Sequence, residues 1–220
     1  MKQSQLGRAL FAEQMKWAAW FYGIMIILTL GITIANHWGI LGNLDINSTT
    51  SNVFMLIIGL LYSYGFLDYY FKLGGSRKKF FKASLFASVL LSVILAFAMV
   101  IMISLFEILV PALGFAVPWT DLLISSGILS FIQSIGDYFI SHFFYLLIGW
   151  FIGIGFYRFR WKIGLLFILI SSPFTGMAGF LQEQIWIEST IIIFYAIFLI
   201  MIVILIGFIY RLTKNTAIRL

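Results

Sequence analysis

Cysteine is absent from this 220-residue chain, which excludes disulfides, cysteine-based metal sites and a thiol nucleophile. Charge is scarce too: 10% of residues are Asp, Glu, Lys or Arg, against about 25% in soluble domains. Together with 62% hydrophobic residues and a mean hydropathy of +1.06, that scarcity excludes a water-soluble domain. What remains is an integral membrane protein with very small soluble parts. Histidine is confined to His37 and His142, and neither stands in a His-Glu-x-x-His zinc motif. No Gly-x-x-x-x-Gly-Lys-Ser/Thr phosphate loop occurs, so ATP hydrolysis coupled to this chain belongs to another polypeptide. Paired glutamates of the kind used by intramembrane proteases are missing, as are repeats, low-complexity tracts and linkers. The chain reads as one domain, 1–220, with no catalytic residue, metal site or bound cofactor of its own.

The charges that are present are sorted. All fourteen Lys and Arg residues fall in four clusters: Lys2, Arg8 and Lys16; Lys72, Arg77, Lys78, Lys79 and Lys82; Arg158, Arg160 and Lys162; Arg211, Lys214 and Arg219. Cytoplasmic ends of membrane helices carry excess Lys and Arg. With all four clusters cytoplasmic, each basic-free gap leaves the cytoplasm and returns as a hairpin of two spans. The pattern therefore predicts an all-α protein of six spans with both termini inside. The net charge of +6 is explained by this sidedness and does not call for nucleic acid.

About 20 apolar residues cross the hydrocarbon core as a helix. The runs are roughly 17–35, 53–71, 83–106, 138–157, 163–180 and 191–210. They are unbroken, whereas barrel strands would alternate polar and apolar residues. The first run is too long for a signal-peptide core and is expected to remain as a span. Asp45, Asp121, Asp137, Glu183 and Glu188 fall between the spans on the predicted outside, and Trp17, Trp20, Trp38, Trp119, Trp161 and Trp186 lie near span ends. Asp68 stands four residues before Lys72, as a local helix pair would, and Glu107 is placed to reach headgroups. His142 reads as an interfacial or packed polar residue. Gly149, Gly153 and Gly155 form a small-residue face, assigned to packing within the protomer rather than to a dimer seam.

Three segments depart from plain spans. Residues 1–16 mix Leu6, Leu10 and Phe11 with Lys2, Arg8, Glu13 and Lys16, which fits a short amphipathic helix on the inner surface. Residues 118–136 are apolar with interspersed serines. A seventh crossing there would separate the second and third basic clusters, so they are expected as an outer interfacial helix or partly buried loop. Over Ser171–Glu188, Pro173, Gly176 and Gly179 predict a broken or re-entrant hairpin with Glu183 near the outer surface.

The most specific element is Leu73-Gly74-Gly75-Ser76-Arg77-Lys78-Lys79-Phe80-Phe81. Ser76 is placed to cap a helix starting at Arg77, and Gly74 and Gly75 permit a sharp turn before it. The expected product is a short helix across the inner surface, basic on one side and carrying Phe80 and Phe81 on the other.

At these residues the chain resembles the small six-span permeases of type-2 ABC exporters of Gram-positive bacteria. Those begin with an amphipathic elbow helix, carry a coupling helix often written Leu-Gly-x-Ser-Arg-Lys-x-Phe-Phe between spans two and three, and place a broken outer hairpin before the last span. The resemblance implies docking of residues 73–81 into a separate cytoplasmic ATPase subunit. ATP and Mg would be held there, with two permeases and two ATPases per complex. Arg158, Arg160 and Lys162 would supplement that contact, and the complex would reside in the plasma membrane. It further implies export of amphipathic or hydrophobic cargo such as peptides, antibiotics or lipids. Two other readings stay open on the residues alone: a six-span substrate-binding subunit for vitamin or metal uptake, and a non-transporting immunity or sensory membrane protein.

Overall fold

The computed structural model describes residues 3–38, 40, 48–72, 76–115, 127–184 and 191–214, and among these the chain is helical with no strand. The helices are α1 (Gln3–His37), α2 (Ser48–Leu61), α3 (Leu67–Lys72), α4 (Arg77–Ala112), α5 (Ile128–Gln184) and α6 (Ile191–Lys214). Five helices are long and apolar enough to cross a membrane, the architecture of a multi-pass membrane protein.

α2 and α3 form one rod through a π-helical segment, Tyr62–Phe66, in which the Leu67 N–H reaches the Tyr62 carbonyl five residues back. The widened turn leaves Tyr62 and Ser63 buried. α5 is not one rod. At Arg160 the backbone adopts φ 63°, ψ −176°, and the chain doubles back. A straight helix would hold Phe151 and Phe167 about 24 Å apart, yet their ring centroids are 4.8 Å apart. The first leg, 128–159, and the second, 161–184, close on each other through glycine. A Cβ on Gly155 would stand 2.3 Å from the Phe167 ring, and one on Gly164 2.5 Å from the Phe156 ring.

α4 and the first leg of α5 form the centre. α1 lies along α4 and runs parallel to it, since Gly7 meets Ala83 and Tyr22 meets Leu95. Its buried stripe, Leu6, Leu10, Gln14, Ala18, Tyr22 and Met25, recurs every three or four residues, as one helical face requires. α2 runs parallel to the first leg and touches it backbone to backbone. A Cβ on Gly59 would lie 2.0 Å from the Leu146 carbonyl, and one on Gly149 2.0 Å from the Leu56 carbonyl. Gly149 and Gly153 thus serve packing inside the protomer. α6 follows the first leg in the same direction, with Phe198 against Phe144 and Phe208 against Phe151.

These directions gather the described basic residues at one end of the bundle. Arg77 Nη1 donates to the Lys214 carbonyl at 3.2 Å. Tyr157, just before the Arg158 cluster, meets Tyr64 on the rod leading to Lys72. Asp137 lies at the other end, accepting a hydrogen bond from the Tyr195 hydroxyl.

Three local expectations change. Residues 3–16 are the first turns of α1, not a separate surface helix, because Leu6 and Leu10 find their apolar partner along α4. Residues 128–136 continue directly into the fourth apolar run as the start of α5, while 116–126 lie outside the described residues. The second leg passes through Pro173 without breaking. Proline leaves the Leu169 carbonyl without its usual N–H donor, and the Ser172 hydroxyl donates to that oxygen at 3.1 Å. Gly176 and Gly179 are helical, and the Glu183 side chain and residues 185–190 lie outside the described set.

Candidate functional site

The segment from Ser76 to Lys82 sits at the basic end. Ser76 has an extended backbone (φ −83°, ψ 139°), and its Oγ accepts from the Lys79 N–H at 3.4 Å, so it is the N-cap of α4. The helix that follows is continuous for 36 residues. Residues 77–82 are therefore its first turns, in place of the separate short helix that the sequence predicts. Leu73, Gly74 and Gly75 lie outside the described residues.

The expected two-sidedness is present. Lys78, Lys79 and Lys82 are exposed, while Phe80 and Phe81 are buried. Phe81 packs on Trp150 of α5 (5.6 Å) and Tyr210 of α6 (5.1 Å), and Phe80 packs on Tyr70 of α3 (5.8 Å). A force applied to the lysines would thus reach three other helices through aromatic contacts. Arg77 differs from its neighbours: half-buried, it donates to the last turn of α6, where a cation offsets the helix dipole. Sequence pattern had grouped it with the free lysines.

Arg158, Arg160 and Lys162 form the turn of α5. The Arg158 guanidinium lies 4.9 Å from the Phe159 ring centroid and the Lys162 ammonium 5.9 Å from that of Trp161. Arg160 itself is exposed and is the one non-glycine residue with positive φ among the described residues. Pro173 and Gly176 are exposed on the second leg, away from both basic segments in sequence and facing open space at Gly176.

Sequence reasoning missed a buried polar chain joining four helices. The Tyr22 hydroxyl donates to the Leu95 carbonyl at 3.1 Å and lies 3.2 Å from Ser51 Oγ, which is 2.7 Å from His142 Nε2. Each hydroxyl has one hydrogen. Tyr22 spends its own on Leu95, so Ser51 must donate to Tyr22, and His142 Nε2–H must donate to Ser51. All three bonds form only in this direction, which places the neutral imidazole proton on Nε2. His142 Nδ1 is then an acceptor, buried without a partner among the described residues. Beside the chain, Ser141 Oγ donates to Asn52 Oδ1 at 2.9 Å. The signal that existed was polar residues (Ser51, Asn52, Ser141, His142) at the ends of two apolar runs.

No family model, curated protein or solved structure matches the chain.

Proposed function

We propose that this protein is the transmembrane permease subunit of an ABC exporter, driven by a separate cytoplasmic ATPase. The observation that carries the reading is the division of residues 76–82 into an exposed basic side and a buried aromatic side, at the end where the basic clusters gather. An element that only sets topology needs the charges. It does not need Phe80 and Phe81 wedged between three helices.

In this reading α5 contributes two crossings, reversing at Arg160, and the molecule crosses six times with both termini cytoplasmic. Lys78, Lys79 and Lys82 meet the ATPase, and Arg158, Arg160 and Lys162, at the same end of the bundle, supplement the contact. The ATPase binds ATP and Mg, and a second permease copy or related chain completes the complex. Cargo is amphipathic or hydrophobic and moves outward across the plasma membrane.

The test is co-purification with ATPase subunits encoded beside its gene, comparing wild type with Lys78→Glu/Lys79→Glu. These two side chains are exposed, so the reversal leaves the bundle intact. ATPase association is expected to fall at least about tenfold, the effect of juxtaposing like charges at an interface. Undiminished association would remove the docking assignment.

A further inference from the structure

Four helices converge near the π-helical segment with polar atoms that close no hydrogen bond. Gln14 of α1, Ser63 of the π segment, Ser84 of α4 and Trp150 of α5 are each 0% exposed. The amide oxygen of Gln14, the hydroxyls of Ser63 and Ser84 and the indole Nε1 of Trp150 have no partner among the described residues.

Gln14, Ser84 and Trp150 stand about one ring, that of Tyr62. The Tyr62 hydroxyl donates to the Ser84 carbonyl at 3.3 Å, and the Gln14 amide lies beside that hydroxyl. The Tyr62 ring stacks on Trp150 at 4.9 Å. Ser63 Oγ points toward Gly153, one turn beyond Trp150, at 3.2 Å from the place of a Cβ there.

Leaving a buried donor or acceptor unmade costs about 1–3 kcal/mol. Several such groups in one neighbourhood would be a heavy penalty, and in a bilayer no lipid tail relieves it. Charged ligands are disfavoured, because no Lys, Arg, Asp or Glu is among the groups. A small neutral molecule that both donates and accepts satisfies amide, hydroxyl and indole together, and buried water does this in protein interiors.

We propose that Gln14, Ser63, Ser84 and Trp150 form an internal water-binding site at the π turn. The site supplies exchangeable hydrogen-bond partners where the helix ladder of α2 is already irregular, so α2 can alter its register there without stranding polar groups. The proposal does not depend on the transport reading.

The test is pulsed hydroxyl-radical footprinting of the full chain in nanodiscs, in which water bound beside a buried side chain labels it in place. Tyr62 and Trp150 are expected to be oxidised at least about tenfold faster than Phe144 and Met99, after correction for intrinsic reactivity. Those references are buried to 0% and 1% exposure. Equal rates would overturn the site. Gln14→Leu/Ser84→Ala is expected to cut labelling of Tyr62 and Trp150 about fivefold while exposed Tyr69 is unchanged. If raised labelling of buried Phe144 and Met99 shows that this variant is misfolded, Ser63→Ala replaces it with the same expected fall. Undiminished labelling in a folded variant would overturn the assignment of these residues as the holders.

Discussion

His142 illustrates how one hydrogen per hydroxyl converts three distances into a proton position. The Leu95 carbonyl can only accept, so the chain from His142 through Ser51 and Tyr22 has one direction. Nitrogen-15 NMR of the imidazole is expected to show a protonated Nε2 and a bare Nδ1; the opposite tautomer would break the assigned chain. His142→Ala removes the donor and leaves Ser51 Oγ without it, an expected loss of about 1–3 kcal/mol in thermal or denaturant unfolding. At Arg160 it is the backbone that is strained. Its φ of 63° with ψ of −176° lies where glycine is nearly alone, at a cost of order 1–3 kcal/mol. Arg160→Gly is therefore expected to stabilise the protein by about that amount, whereas Arg160→Ala, which keeps the Cβ, is not. If both variants respond alike, the charge rather than the backbone governs the turn.

Helix pairs obey a similar contrast, now between crowded and open glycines. Cβ atoms on Gly59 and Gly149 would meet backbone carbonyls at 2.0 Å, and backbone in a packed helix has little room to yield. Gly59→Ala and Gly149→Ala are each expected to destabilise by at least about 1–3 kcal/mol. Gly176 has nothing within 4 Å of such a Cβ, so Gly176→Ala is expected to be neutral or to stabilise by up to about 1 kcal/mol. Unfolding midpoints of the three variants, measured in one detergent, check the contrast. A large loss at Gly176 would restore the re-entrant hairpin that Pro173 and the glycines predict from sequence. What separates these glycines is tertiary distance, and spacing alone carries no trace of it. Ser76 was legible because a cap is a local bond between a side chain and an N–H three residues on. The unbroken helix at Pro173 was not, since the Ser172 hydroxyl fills the place of the missing donor. Nor was the π turn, for Tyr-Ser-Tyr-Gly-Phe has no composition that distinguishes it from an ordinary turn of a span.

For the whole molecule, charge patterning carried the most, because the cost of translocating Lys and Arg is set by the bilayer and not by packing detail. It anticipated that the basic residues share one end, and for the described ones the parallel pairing of α1 with α4 and of α2 with the first leg of α5 delivers this. The number of crossings depends on α5. As a single rod of 57 residues it would be about 86 Å long, nearly three times the ~30 Å hydrocarbon core. A rod crossing once would also place Lys214 on the side opposite Lys79, against the hydrogen bond between Arg77 and the Lys214 carbonyl. Since the chain has no cysteine of its own, single cysteines report sidedness cleanly. Lys79→Cys, Lys162→Cys and Lys214→Cys are expected to resist a membrane-impermeant maleimide in intact cells and to react after the inner face is opened. Leu113→Cys and Ile128→Cys, both exposed at the far ends of α4 and α5, are expected to react in intact cells. Reaction of Lys214→Cys from outside would reduce the crossings to five and, with them, separate the end of α6 from the segment proposed to dock an ATPase.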